Sequence, residues 1–144
     1  MTDLVRTLAV SASGMEAQSR RLRHVAENIA NADTPGYRRK TVAFEAAAGR
    51  GAATGWQAGG WQAVPARDAA VRVGPVQLDA RALPRVYDPG HPMADETGHY
   101  DGANVDLVVE IADAREAQRS YEANLRMFDQ ARQMSQSLLE LLRR

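Results

Sequence analysis

The sequence predicts a mainly α protein with a small β subdomain: two long terminal helices, paired in coiled-coil fashion, with a short β-rich insert between them. Three observations carry this. Both ends show apolar residues recurring in alternating steps of four and three, the spacing of one helix face. Nine of the eleven glycines and five of the six prolines fall in residues 41–103, which disfavours regular helix there. Large core residues are few, with two Phe, two Trp and four Tyr, while alanine supplies much of the 44% apolar content. Alanine favours helix but fills little volume, a mix suited to thin helical packing.

The first helix is expected from about Thr2 to Asn31. Its seam is Leu4, Leu8, Ser11, Met15, Gln18, Leu22, Val25, Ile29 and Ala32. Thr2 suits the N-cap, and Asp3 lies in the first turn, where the helix dipole favours an acid. A helix with one apolar stripe draws most of its stability from burying that stripe against something else. Ser13-Gly14 interrupts the run, and glycine costs about 1 kcal/mol relative to alanine in a helix interior. Because Ala9, Ser11, Ala12 and Ala17 are also small, we read Gly14 as a point of close approach by a neighbouring helix.

"ANADTPGYRRK" (30–40) ends this helix. Asn28, Asn31 and Asp33 weaken its last turn. Thr34 precedes proline and is pushed out of the α region. Pro35-Gly36 fits the central pair of a type II turn, proline supplying φ near −65° and glycine the positive φ. Tyr37 and the cations Arg38, Arg39 and Lys40 then open an extended segment, so the stretch is a helix-to-strand corner.

In the insert, "RKTVAFE" (39–45), "AVRVGPVQLD" (70–79) and "LPRVYD" (83–88) read as short strands. Gly74-Pro75 should turn or bulge the second. "GRGAATGWQAGG" (49–60) has the composition of a flexible loop.

The second helix is expected from Asn104, as N-cap, to Arg144. Leu107, Ile111, Ala114, Gln118, Tyr121, Leu125, Phe128, Arg132, Ser135, Leu139 and Leu142 form its seam. A second line through Ala117, Tyr121, Asn124, Phe128, Ala131, Met134 and Leu138 widens the stripe enough to touch more than one neighbour. The expected antiparallel pairing sets Leu4, Leu8, Met15, Leu22, Val25 and Ile29 against Leu107, Ile111, Tyr121, Leu125, Phe128, Leu139 and Leu142.

The formal net charge is zero, which gives no reason to expect nucleic acid as a partner. The charges are nonetheless segregated. Residues 1–40 carry seven Arg/Lys against four Asp/Glu, whereas residues 84–113 carry seven acids against Arg85 alone. Such segregation suggests complementary surfaces, within one molecule or between copies, with solvated faces that meet no partner as the alternative. Between copies, Arg20, Arg21, Arg23, Arg38, Arg39 and Lys40 would meet Asp88, Asp95, Glu96, Asp101, Asp106, Glu110 and Asp113 of a neighbour.

Cysteine is absent, which excludes disulfides and thiolate metal sites. The first residues read as helix rather than as a cleaved signal, and no window approaches the roughly 20 apolar residues of a membrane span. His91, His99, Asp88, Asp95 and Asp101 lie close in sequence but fit no standard zinc spacing. No nucleophile, base and orienting group can be placed together, so neither catalysis nor a cofactor is expected.

"NIANADTPGYRR", after an amphipathic helix containing "SASGM", resembles the signature of flagellar rod and hook proteins. "YDPGHP" (87–92) and "SYEAN" (120–124) extend the likeness to nearly the whole chain. The short length resembles the proximal-rod members, since distal-rod and hook relatives have larger central domains. "GAATGWQAGGWQ" (51–62) departs from the family pattern.

The resemblance implies a structural subunit of the bacterial flagellar basal body, polymerising through its terminal helices into drive shaft and export-channel wall, with residues 1–40 and 104–144 as one helical core unit and 41–103 as a small subdomain projecting from it. Implied partners are further copies of itself, other proximal and distal rod proteins, the adaptor joining rod to MS ring and export gate, and the type III export apparatus. Implied location is the rod, in the periplasmic space, reached without a cleaved signal. Asn28, Asn31, Thr34, Pro35, Gly36 and Tyr37 carry the family's turn motif. The competing expectation is a helical adaptor or chaperone-like binding module. It explains the two seams equally well but not the corner motif or the Gly/Pro-rich insert.

Overall fold

The computed structural model describes residues 2–46 and 70–142. The glycine-rich loop at 49–62 and the terminal Arg143 and Arg144 lie outside the described residues, as do the side chains of Thr2 and Leu142. The elements in order are α1 (Thr2–Ala30), β1 (Lys40–Ala46), β2 (Val71–Leu78), β3 (Arg85–Tyr87), β4 (His99–Asp101) and α2 (Leu107–Leu142). The expected class is found: mainly helical, with a small antiparallel β region between the two helices.

The 36 residues of α2 span about 54 Å, and α1 packs antiparallel along most of that length. Asn28 meets Glu110, Gly14 meets Asn124, and Leu4 and Leu8 share a groove with Ser135, Leu138 and Leu139. A β-carbon built at Gly14 would lie 2.7 Å from the Asn124 amide nitrogen, so glycine is there for close approach.

The helices do not close on the expected large side chains. Buried on α1 are Ser11, Ala17, Val25 and Asn28, and on α2 Glu110, Ala117 and Ala131. Leu4, Leu8, Met15, Leu22 and Phe128 are half-buried at the flanks. Ile29, Leu107, Ile111, Tyr121, Leu125 and Leu139 are exposed. The physical reason is size. Small residues let two helix backbones approach closely, so the contact follows Ala117, Asn124 and Ala131, the second line of α2, and turns the leucines sideways and outward.

α2 begins later than expected, and its cap is Asp106. The Asp106 Oδ1 accepts from the backbone N–H of Val108 at 2.9 Å and, at 3.4 Å, of Val109. Asn104 is instead a clamp in the preceding loop. Its Oδ1 accepts from the backbone N–H of Arg39 at 2.7 Å, and its amide reaches the carbonyls of Asp79 and Arg81.

β1 and β2 pair antiparallel, with Val42 opposite Val76 and Phe44 opposite Val73. Gly74 and Pro75 therefore oppose Ala43 alone, which is the expected bulge. β3 and β4 form a second ribbon, in which Val86 lies opposite Tyr100. β4 was not expected, because three residues are too few to show a period. The Pro35-Gly36 turn has the expected form: the Tyr37 N–H donates to the Thr34 carbonyl at 3.2 Å, and Gly36 has φ 72°.

Candidate assembly interface

The turn motif, the start of β1 and the first turns of α2 converge on a buried polar cluster. Asn28 projects from α1 two residues before its end and is 1% exposed. Its amide nitrogen donates to the Lys40 carbonyl at 2.9 Å and to Glu110 Oε2 at 3.0 Å. Its Oδ1 accepts from the Tyr37 hydroxyl at 3.1 Å and from the Lys40 backbone N–H at 2.9 Å. All four hydrogen-bonding positions of this amide are thereby used. One side chain bolts helix, turn, strand and second helix together.

Glu110 is fully buried. Its Oε1 accepts a short contact from Arg39 Nε. The same guanidinium reaches Asp113 at 2.7 Å through Nη2, and Arg21 reaches the other Asp113 oxygen at 3.0 Å. Burial pulls the Arg39 pKa down, but the hydrogen bond and charge of Glu110, with those of Asp113, outweigh it and hold the value above the ordinary one. Arg39 therefore stays cationic, which a buried carboxylate requires. Burial also raises the Tyr37 phenol, keeping it the donor to Asn28. At the rim, Lys40 bonds Glu27 at 3.0 Å. Lys40 is raised by that bond, while Glu27 is lowered by Lys40 and then by His24.

The charge segregation is thus partly resolved inside one chain. The antiparallel hairpin sets the basic end of α1 beside the acidic start of α2, so Arg21 and Arg39 pair with Asp113 and Glu110 of the same molecule rather than a neighbour's. Arg20 pairs with Glu16, and Arg23 with Glu27. Arg38 donates to the carbonyls of Asp79 and Arg81.

Of the expected turn residues, Asn28 and Tyr37 meet in the cluster. Asn31 caps the end of α1, its amide donating to the Glu27 carbonyl at 2.8 Å, and Thr34 donates to Asn31 Oδ1. Pro35 and Gly36 shape the turn, and the Gly36 N–H ties it to the Asp101 carbonyl at 2.9 Å. Sequence reading missed Arg39, Asn104, Glu110 and Asp113 as one constellation. A signal was present: continuing the second line of α2 one heptad back from Ala117 lands on Glu110.

The expected seam residues divide into two groups. Val25 is buried in the hairpin. Leu107, Ile111 and Leu125 stand out from it along one face of α2, where Ile111 borders an open hollow with Val108, Ala112 and Arg115. Tyr121, Leu138, Leu139 and Leu141 extend the exposed apolar surface toward the end of α2.

These features define a class of protein: an elongated subunit whose two chain ends form one hairpin, locked at the corner and apolar along its outside. Comparisons with known proteins are specific. Residues 8–38 match the family described as flagella basal body rod protein, and residues 96–141 the one described as flagellar basal body rod FlgEFG protein C-terminal. The chain is similar to the flagellar basal-body rod protein FlgC of Agrobacterium fabrum, with 41% identity over 93% of this chain and 91% of that protein. FlgC of Escherichia coli (strain CFT073) is 35% identical over 96% of this chain and 97% of its own, and FlgC of Aquifex aeolicus 31% over 97% and 98%. The chain belongs to the FlgC family of flagellar basal-body rod proteins.

Proposed function

We propose that this chain is a structural subunit of the flagellar basal-body rod and that it joins the rod through its paired terminal helices. Similarity to rod proteins along nearly its whole length supports the structural role. The observation that carries the mode of assembly is the apolar run left outside the hairpin: Leu107, Val108, Ile111, Leu125, Met134, Leu138 and Leu139 are all exposed. Large apolar side chains left exposed at this many positions of one helix mark an interaction site. Burying one large side chain gives about 1.5–3 kcal/mol before entropy is subtracted. Neighbouring copies that cover the stripe head-to-tail, without closing a ring, build a helical tube.

On this reading Leu4, Leu8, Met15, Leu22, Val25, Ile29, Leu107, Ile111, Tyr121, Leu125, Phe128, Leu139 and Leu142 form the assembly seams, facing either the partner helix or the next subunit. Residues 1–40 and 104–144 line the tube, and 41–103 projects from it. The subunit lies in the proximal rod within the periplasm, arrives through the type III export apparatus, and contacts other rod proteins and the adaptor to the MS ring and export gate. Its role is structural rather than catalytic. Among the described residues no helix is long and apolar enough to cross a membrane. An adaptor would account for the exposed stripe, but not for likeness to rod proteins from corner to C-terminal helix.

The test is the double variant Ile111→Asp/Leu125→Asp in a strain that lacks its own copy of the gene. Both positions are only about two-fifths to a half exposed and aspartate is a poorer helix former than isoleucine or leucine, so the free subunit should lose about 1–3 kcal/mol, and circular dichroism of the purified variant should still show the folded helices. Swimming in soft agar and recovery of rods from purified basal bodies should both be lost. Normal swimming by that strain would refute assembly through this face.

A further inference from the structure

The seam between α1 and α2 is built largely of residues too small to interlock. Ser11, Gly14 and Ala17 face a line that includes Ala117, Asn124 and Ala131. Those three α2 positions are seven residues apart, two helical turns. Sliding α2 by one heptad would therefore set an alanine opposite Gly14 in place of Asn124. Knobs that fit holes specify a coiled-coil register, and this seam offers few of them.

What does not repeat along the hairpin is its corner: the polar cluster and, beside it, the ties of Asn104 to Arg39 and of Gly36 to Asp101. A one-heptad slip moves Glu110 by about 10 Å, away from Arg39 and from Asn28. It would leave a carboxylate that is now fully buried without its cation, and an amide without its acceptor. A buried charge stripped of its partner is strongly unfavourable, whereas the same ion pair adds little net stability over well-packed apolar residues. A buried polar group that distinguishes one register from others has this energetic profile: weak as glue and strong as a discriminator.

We propose that the Asn28–Arg39–Glu110 clasp is the register key of the helical hairpin, fixing which turn of α1 faces which turn of α2 and hence which apolar stripe points outward. The use of that outward stripe rests on the rod reading; the register is a property of the free chain. Arg21 and Asp113 reinforce the key from the adjacent turn.

The chain contains no cysteine, so engineered pairs report register cleanly. In the purified full chain, G14C/N124C reports the native register. A β-carbon at Gly14 lies 3.1 Å from Asn124 Cγ, so the Asn124 β-carbon, one bond further on, is within about 4.6 Å of it, close enough for a disulfide, which needs about 3.5–4.5 Å. G14C/A117C and G14C/A131C, each carried with N124A because a β-carbon at Gly14 would otherwise lie 2.7 Å from the Asn124 amide nitrogen, report slips of one heptad either way. Equilibrated in a glutathione redox buffer, the native pair should exceed each slipped pair by about 100-fold in yield while the clasp is intact. With the clasp replaced by apolar side chains (N28L/R39M/E110L), that ratio should fall by at least about tenfold while circular dichroism keeps its helical signal. E110Q, which retains the shape and can still accept from Asn28, should give an intermediate fall.

A triple variant that keeps the full native preference overturns the proposal. So does one that loses its helices, because the clasp would then supply stability rather than register. An unchanged ratio in E110Q counts against it equally. Since the ratio is read on the free chain, its failure leaves the rod reading standing. Normal swimming by I111D/L125D would remove the rod reading and leave the register key untouched.

Discussion

Asn28 illustrates how one amide can do what a large apolar residue does in a thicker protein. It makes four hydrogen bonds to three different segments and has almost no contact with water. Asn28→Ala leaves the Tyr37 hydroxyl, the Lys40 N–H and a Glu110 oxygen without partners, and should cost about 2–4 kcal/mol in urea unfolding. Asn28→Asp should cost at least as much at neutral pH, because it turns two donors into an acceptor aimed at Glu110 and at the Lys40 carbonyl. A loss under about 1 kcal/mol for the alanine variant would contradict the clasp. Gly36 is the other residue with a specific demand. It sits at φ 72°, and a β-carbon placed there would meet nothing within 4 Å, so its requirement is backbone geometry alone. Gly36→Ala should destabilise by about 1–2 kcal/mol and Gly36→Asn by less, since asparagine tolerates the left-handed region. Equal stability of all three chains would show that the turn is not strained by a side chain.

At the scale of elements, each short β segment is held by polar contacts more than by burial. The loop between β3 and β4 is organised by Asp95. Its Oδ1 accepts from the Thr97 hydroxyl at 2.6 Å, from the His99 N–H at 3.0 Å and from the Thr97 N–H at 2.9 Å, and its other oxygen meets Arg85. Those bonds, the Thr97 hydroxyl first and the His99 amide next, hold its carboxyl well below the usual carboxylate range. The sign follows directly. The folded pKa is depressed, so the contribution is complete above the unfolded value of about 3.9 and is lost as pH falls from there toward the folded value. The Asp95 side-chain carboxyl-carbon and β-proton resonances should stay constant from pH 7 to about 5 and move only in stronger acid. Asp95→Asn should abolish that acid transition. Movement of the same resonances at pH 6 to 7 would assign the loop to a different group.

For the whole molecule, order is distributed unevenly along the hairpin. Near the corner lie Val25, Asn28, Glu110 and Ala117, all buried, together with the ion pairs of Arg21 and Arg39. Toward the chain ends the buried residues are small ones such as Ser11 and Ala131, and Val5, Met134, Leu138 and Leu139 face outward. Local opening follows local burial. In the isolated chain, amides in 3–12 and 134–141 should exchange at least about tenfold faster than those in 21–30 and 110–117. Assembly should slow the terminal ones most, because neighbours would supply the missing contacts there. Uniform, strong protection across residues 2–32 of a monomer would show that the hairpin completes its own core.

The sequence by itself determined both helices, the corner between them and the fold class. These rest on local physics: a four-three apolar spacing, proline before glycine, and glycine and proline concentrated in the insert. The bulge at Gly74-Pro75 and the close approach at Gly14 were legible for the same reason, since each is a backbone property of one or two residues. Only the tertiary structure decided which stripe of α2 turns inward. Two apolar lines competed there, and the one with Ala117 and Ala131 prevailed because it lets the helices come closest, leaving Leu107, Ile111 and Leu125 outside. The clasp was likewise decided in three dimensions. Glu110 lies 82 residues from Asn28 and 71 from Arg39 along the chain, and each of the three reads alone as a helix-end or surface residue. Their meaning depends on burial, which removes water as the alternative partner and leaves only one another.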